Sequence, residues 1–223
     1  MKILALETST EACSAAIWTE AAVVERYESG TQHSGRILAM VDELLKETGF
    51  TLSQMDAIAF GRGPGSFTGL RIGAGVAQGL AFGADIPVTP VSSLATLAQG
   101  VDAPRVLAAF DARMQQVYSG VYVRNSLGLV ELAGTENVTA PENVPLPEGS
   151  DWVGAGDGWD RYHAELSARL RGRVVTWRQQ IFPRACDAGR LGAAAYQAGK
   201  AVAAELALPV YVRDEVAVKQ TKT

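Results

Sequence analysis

Glu7 and Asp111 each close a short apolar run, Ile3–Leu6 and Val106–Phe110. Carboxylates at two such strand ends could face each other across a cleft and serve a metal or a proton transfer. Their plainer use is to accept N–H groups of the turns that follow. Gly61-Arg62-Gly63-Pro64-Gly65-Ser66-Phe67-Thr68-Gly69 is the second feature. Glycines just ahead of a helix permit close backbone approach and leave N–H groups at a positive dipole end, which can seat an anion. The string is no Walker motif, because no lysine follows, and Ser66 stands where a dinucleotide loop needs its third glycine. A tight strand-to-helix turn capped by Ser66 or Thr68 explains it equally well. Neither Ser9 nor Ser66 has a G-x-S-x-G setting or a serine–histidine–acid order. His33 and His163 are the only histidines. A helical metal pair would need a histidine four residues after His33, and that residue is Ile37. Cys13, inside an apolar run, reads as a small buried hydrophobe.

These groups need a frame. Ile3–Leu6, Cys13–Trp18 and Val23–Tyr27 read as an antiparallel meander. The period then changes: Ile37, Leu38, Val41, Leu44 and Leu45 line one face of a helix, with Ser34 as its cap and Gly49 at its end. Strand Ala57–Phe60, a helix over Leu70–Phe82, strand Pro87–Val91 and a short helix capped by Ser92 follow. After Asp102 the order repeats, with strands at Val106–Phe110, Gln116–Arg124 and Leu129–Ala133. A proline-rich loop, Pro141–Gly149, comes next. Then come strand Trp152–Ala155, a helix over Arg161–Leu170, strand Val174–Trp177 and an alanine-rich helix over Asp187–Leu206. Each half therefore reads βββαβα, which makes the fold class α/β with two duplicated subdomains. The expected division is 1–102 and 103–190, with a C-terminal helix at about 191–208 returning to the first unit and 209–223 as a tail. The helix after the glycine loop is unusual. Gly69, Gly73, Gly75 and Gly79 each cost about 1 kcal/mol against alanine in a helix interior. Close packing against another helix, inside the domain or across subunits, would offset that loss.

The chain has 223 residues, 48% of them hydrophobic, and a net charge of −4. That composition excludes a disordered chain. No uncharged apolar run approaches the roughly 20 residues of a membrane span, and the first carboxylate comes too early for a signal peptide, so a cytoplasmic protein is expected. Two cysteines are too few for a disulfide scaffold or a cysteine zinc site. Residues 161–190 carry seven arginines against Glu165 and Asp187. That stretch is either a polyanion-facing patch or a solvated surface.

Several strings together resemble the bacterial TsaB (YeaZ) family. They are Ile3-Leu4-Ala5-Leu6-Glu7-Thr8-Ser9-Thr10, His33-Ser34, Gly63-Pro64-Gly65-Ser66-Phe67-Thr68-Gly69-Leu70-Arg71-Ile72-Gly73, Asp111-Ala112-Arg113-Met114 and Pro209-Val210-Tyr211-Val212-Arg213. Glu7 stands where that family more often has aspartate. The resemblance implies the actin-like/sugar-kinase/Hsp70 (ASKHA) two-domain fold. It also implies a paralogue of TsaD, the catalytic subunit that transfers threonylcarbamoyl to N6 of adenosine 37 in tRNAs reading ANN codons. TsaD holds a metal with two helical histidines, of which only His33 has a counterpart here. The expected role is therefore a non-catalytic dimerisation and activating subunit, with TsaD and the ATPase TsaE as partners and a homodimer when alone. It would have no catalytic residue, metal or cofactor of its own, ATP and metal belonging to the partners. tRNA would be reached mainly through the complex, with no membrane involved.

The implied interface uses helices about Ser34–Lys46 and Gly69–Phe82, with His33, Ser34, Ile37, Leu38, Val41, Leu44, Gly69, Leu70, Gly73, Val76, Ala77 and Leu80 at the contact. A bulky residue at Gly73 or Ala77 is then expected to abolish association and leave the monomer folded. Glu7, Thr8, Ser9, Gly63, Gly65, Ser66 and Asp111 would form any ligand or anion loop. The alternatives are a stand-alone ATP-binding small-molecule kinase or ATPase of the same fold, and a glycoprotease-like metallopeptidase.

Overall fold

The computed structural model describes residues 1–30 and 33–213, the side chains of His33 and Ser34 excepted. The expected meander forms β1 (Lys2–Glu7), β2 (Ala12–Thr19) and β3 (Val23–Ser29). Helix α1 (His33–Thr48) follows, then β4 (Ala57–Gly63), α2 (Phe67–Ala84), β5 (Val88–Ser92) and α3 (Ser93–Gln99). Strand β4 lies parallel to β1, and β5 parallel to β4, so the first sheet has the order β3-β2-β1-β4-β5. The second half supplies β6 (Arg105–Asp111), β7 (Val117–Arg124), β8 (Val130–Leu132), β9 (Asn137–Thr139) and β10 (Trp152–Ala155). It continues with α4 (Asp157–Arg169), β11 (Val174–Arg178) and α5 (Ala185–Gln197). Its sheet runs β11-β10-β6-β7-β8, with β9 paired to β7. Taken from the other edge, that order repeats the first sheet strand for strand, parallel and antiparallel senses included. The molecule is the α/β, two-sheet architecture expected of the actin-like/sugar-kinase/Hsp70 class.

The layers follow from side-chain alternation on the strands. Leu4 and Leu6 point to α1 and α2, while Ile3 and Ala5 point to α5. Val106, Ala108 and Phe110 meet α3, whereas Leu107 and Ala109 meet Trp159 and Leu166 of α4. Helices α3 and α5 thus lie between the sheets, and each packs mainly on the sheet of the other half. Alanine and glycine make α5 thin enough for this. A Cβ on Gly189 would press on Trp18, and one on Gly192 would overlap Ala59. Among the described residues no helix is long and apolar enough to cross a membrane.

The structure corrects several expectations. The halves are not both βββαβα. The first continues through β5 and α3, and the second has no counterpart of α1. Its place holds the 141–149 segment, with a single 3-10 turn at Pro141–Asn143, because closely spaced prolines do not fit a helix interior. Helix α4 starts at Asp157, four residues before the expected Arg161, on Gly156 with φ 107°. Helix α5 spans Ala185–Gln197 rather than about 191–208. Gly199 turns left-handed at φ 68°, and Val202 pairs with Val88 beyond it. Alanine favours helix, but that turn and bridge overrule it locally. Helix α1 begins at His33, so Ser34 lies inside its first turn rather than before it. Residues 209–213 are no loose tail, since Val210 N–H donates to the Arg62 carbonyl at 2.7 Å; 214–223 lie outside the described residues.

Candidate functional site

The glycine string is moulded around the end of β1. The Ser66 N–H donates to the Ser9 carbonyl at 2.6 Å, and the Thr8 hydroxyl donates to the Gly69 carbonyl at 2.8 Å. A Cβ on Gly65 would overlap the Ser9 carbonyl, one on Gly69 the Thr8 carbonyl, and one on Gly73 the Thr8 hydroxyl. Gly63, at φ 108°, faces the Val210 carbonyl and Leu70. Ser66 caps α2 by accepting the Gly69 N–H. The string that resembled an anion seat therefore approaches the protein's own backbone, and its geometry is that of a capped, close-packed turn.

Glu7 and Asp111 do end matching strands, yet they do different work. Glu7 is buried under Gly61. Its Oε1 accepts the Ser9 N–H at 2.7 Å, and Oε2 has no hydrogen-bond partner. Burial raises its pKa, against the opposing pull of the Ser9 N–H. Asp111 instead lines the cleft between the halves and accepts from Arg113, Arg161 and the Tyr162 hydroxyl. The carboxylate beside it is Asp157, which accepts the Asp111 N–H at 3.1 Å. Burial and then the Asp111 charge push Asp157 up to about 6. So the expected Glu7–Asp111 pair across the cleft is replaced by Asp111–Asp157 within one half. The signal for Asp157 was its place after Gly154-Ala155-Gly156, matching the end of β4.

The cleft encloses about 610 Å³ between Ser9, Gly65, Ser66 and Phe67 on one side and Asp111, Arg113, Tyr118 and Asp157 on the other. Residues 209–213 strap it. Tyr211 packs on Phe67 at 5.7 Å between ring centroids, and Arg213 donates to the Ala112 carbonyl at 3.1 Å and to Gln116. The β6–β7 turn they hold has three successive left-handed residues, Arg113, Met114 and Gln115. In the sequence these residues are a family string and a tail, because a string does not say what it crosses.

Glu7 yields a pH-dependence prediction. A carboxyl with a raised folded-state pKa favours the fold when protonated. That contribution is complete below the unfolded pKa, about 4.3, and is lost as pH rises through the folded value. Glu7→Gln should therefore match the parent's stability near pH 4 and exceed it by about 1–3 kcal/mol at pH 8, the usual cost of a buried polar atom without its partner. Urea unfolding at both pH values checks this; a constant offset would exclude Glu7 as the source.

The expected interface residues divide. Ile37, Val41 and Leu44 are buried in the chain's own core, as are Gly69, Leu70, Gly73 and Ala77. They have no surface to offer a partner, because the apolar stripe of α1 and the inner side of α2 cover the first sheet. Val76 and Leu80 are half-buried, and Leu38 is 51% exposed. His33 and Ser34 head α1 on the same side of the sheet as α2. The open side of α2 instead carries Gly75, Gly79 and Gly83, each with nothing near its missing Cβ, beside Phe82 at 82% exposure. A bulky residue at Gly73 would thus strike Thr8 of the same chain, and the expectation of an intact monomer fails there.

Comparison with known proteins gives one answer. A family model described as TsaD, tRNA N6-adenosine threonylcarbamoyltransferase, matches residues 27–218. The tRNA threonylcarbamoyladenosine biosynthesis protein TsaB of Escherichia coli is 43% identical, covering 99% of this chain and 98% of that protein. Its counterpart in Haemophilus influenzae is 38% identical over 99% and 97%. The solved structure titled YeaZ from Pseudomonas aeruginosa superposes with a TM-score of 0.87 at 48% identity, covering 94% of this chain and 99% of that one. The chain belongs to the TsaB (YeaZ) family of tRNA threonylcarbamoyladenosine biosynthesis proteins, within the TsaD-related domain family.

Proposed function

We propose that this chain is the non-catalytic dimerisation and activating subunit of the tRNA N6-adenosine(37) threonylcarbamoyltransferase complex. It acts in the cytoplasm with a TsaD-type catalytic subunit and a TsaE-type ATPase, and pairs with itself when alone. ATP and metal belong to those partners, and the catalytic subunit carries most of the tRNA contact. The observation that carries the reading is the open side of α2. Gly75, Gly79 and Gly83 lie in open space at i, i+4 spacing beside the exposed Phe82, and Leu38 of α1 is exposed as well. Glycines on a solvent-facing helix side only lower stability, and the core does not require them there. A second backbone packing against that groove recovers the loss, and two helices from each partner suffice for a standard interface of about 1,600 Å². Size-exclusion chromatography with light scattering, with and without the catalytic subunit, tests this. A stable 1:1 heterodimer that displaces the homodimer supports the reading; a monomer under both conditions sinks it.

The cleft favours one second reading, a stand-alone kinase or ATPase. Its walls hold carboxylates, arginines and aromatic rings. Calorimetry with ATP and magnesium separates the two, since micromolar binding by the isolated chain would favour the enzyme.

A further inference from the structure

Four arginines gather at the end of the second sheet that lies away from the cleft. Arg105 opens β6, Arg169 ends α4, and Arg171 and Arg173 form the turn into β11. The backbone brings them together. Strands β6, β10 and β11 are parallel neighbours, so their first residues form one edge about 10 Å across at ordinary strand spacing. The 144–150 loop folds along that edge, and its carbonyls hold three of the guanidiniums. Arg169 donates to Val144 at 2.9 Å, Arg173 to Gly149 at 3.0 Å and Arg105 to Ser150 at 2.9 Å. Gly149, at φ 76°, leaves room that the Arg105 guanidinium fills, since a Cβ would sit 2.7 Å from it. Arg171 is exposed and makes no hydrogen bond or ion pair among the described residues.

Among the described residues, five of the other eleven arginines are paired with carboxylates. Arg26 meets Glu43 and Glu47, Arg36 meets Glu28 and Glu43, Arg113 and Arg161 share Asp111, and Arg184 meets Glu25. Among the described residues none of the four at this edge lies at ion-pair distance from a carboxylate, although Glu148 is on the same loop and Asp151 directly follows it. A guanidinium has five N–H donors. One carbonyl bond fixes its position and leaves most of the fork free. Such preorganised forks match phosphate oxygens, and they occur here on a chain that is acidic as a whole.

We propose that this edge of the second lobe binds the phosphate backbone of the tRNA while the reactive nucleoside sits on the catalytic subunit. The choice of RNA among polyanions rests on the function proposed above. The test uses Arg171→Glu and the double variant Arg169→Glu/Arg171→Glu, which leave the loop contacts of Arg105 and Arg173 in place. For the reconstituted complex, tRNA affinity should fall about tenfold in the double variant. The slope of log affinity against log salt should flatten by about one per arginine removed. Arg171→Lys should keep most of the affinity, and light scattering should show unchanged association with the catalytic subunit. If no heterodimer forms even with the parent chain, the dimerisation reading fails, and the salt slopes are then measured on the isolated chain. Unchanged tRNA affinity and slope overturn the proposal. So does a variant that loses anionic phospholipid vesicles but keeps tRNA.

Discussion

Gly75→Trp and Gly79→Trp should each give a folded monomer that no longer associates with the catalytic subunit, with affinity reduced at least about a hundredfold. Both positions are open to solvent in the isolated chain, and a Cβ at either meets nothing within 4 Å. Replacing glycine in a helix interior also recovers a few tenths of a kcal/mol of propensity. The variants should therefore melt at or slightly above the parent temperature. Across an interface the outcome reverses. A groove that fits a second backbone at the depth of a hydrogen atom cannot take an indole, and overpacking plus lost contacts exceeds the 2.7 kcal/mol that a hundredfold represents. Stability and association thus move apart, which a merely damaged protein would not show. Thermal unfolding beside light scattering reads both. Undiminished heterodimer would mean that the partner lies elsewhere, and Phe82 would then be the next exposed residue to truncate.

The sequence was most legible where local chemistry decides structure. Ser66 and Ser92 cap α2 and α3 as their hydroxyls and positions require. Gly49 takes the left-handed conformation that ends α1. The meander, the matching strand ends at Glu7 and Asp111 and the repeated order could be read from alternation and turn residues. What could not be read was direction. Periodicity says that Ile37, Val41 and Leu44 share a face, but a face buried against the chain's own sheet has the same pattern as one buried against a partner. The glycines of α2 look equivalent in sequence, yet Gly73 points at Thr8 and Gly75 at solvent, because two residues turn a helix by about 200°. The docking of α5 on the first sheet and the strap at 209–213 are contacts of very large sequence separation. No short window holds their signal.

That division of the glycines gives the sharpest test of the fold. The same chemical change on the same helix should have opposite signs at Gly69 and Gly79. Gly79→Ala adds a methyl in open space and removes the conformational penalty of glycine, so stability should rise by about 1 kcal/mol. Gly69→Ala gains the same propensity but drives its methyl into the Thr8 carbonyl. That oxygen cannot withdraw. Thr8 follows the last residue of β1, its hydroxyl is tied to the Gly69 carbonyl, and the next residue accepts the Ser66 N–H. Either α2 must lift from the sheet or the Glu7–Ser9 turn must open around a buried carboxylate. Overpacking costs of about 1–3 kcal/mol and upward are usual for such changes, a large share of the roughly 5–15 kcal/mol that holds a domain together. At about 2–4 °C per kcal/mol for a chain of this size, Gly69→Ala should melt several degrees below the parent and Gly79→Ala a few above it. Equal melting temperatures would mean that α2 does not sit on β1 as described, and the assignment of inner and outer glycines would fall with it.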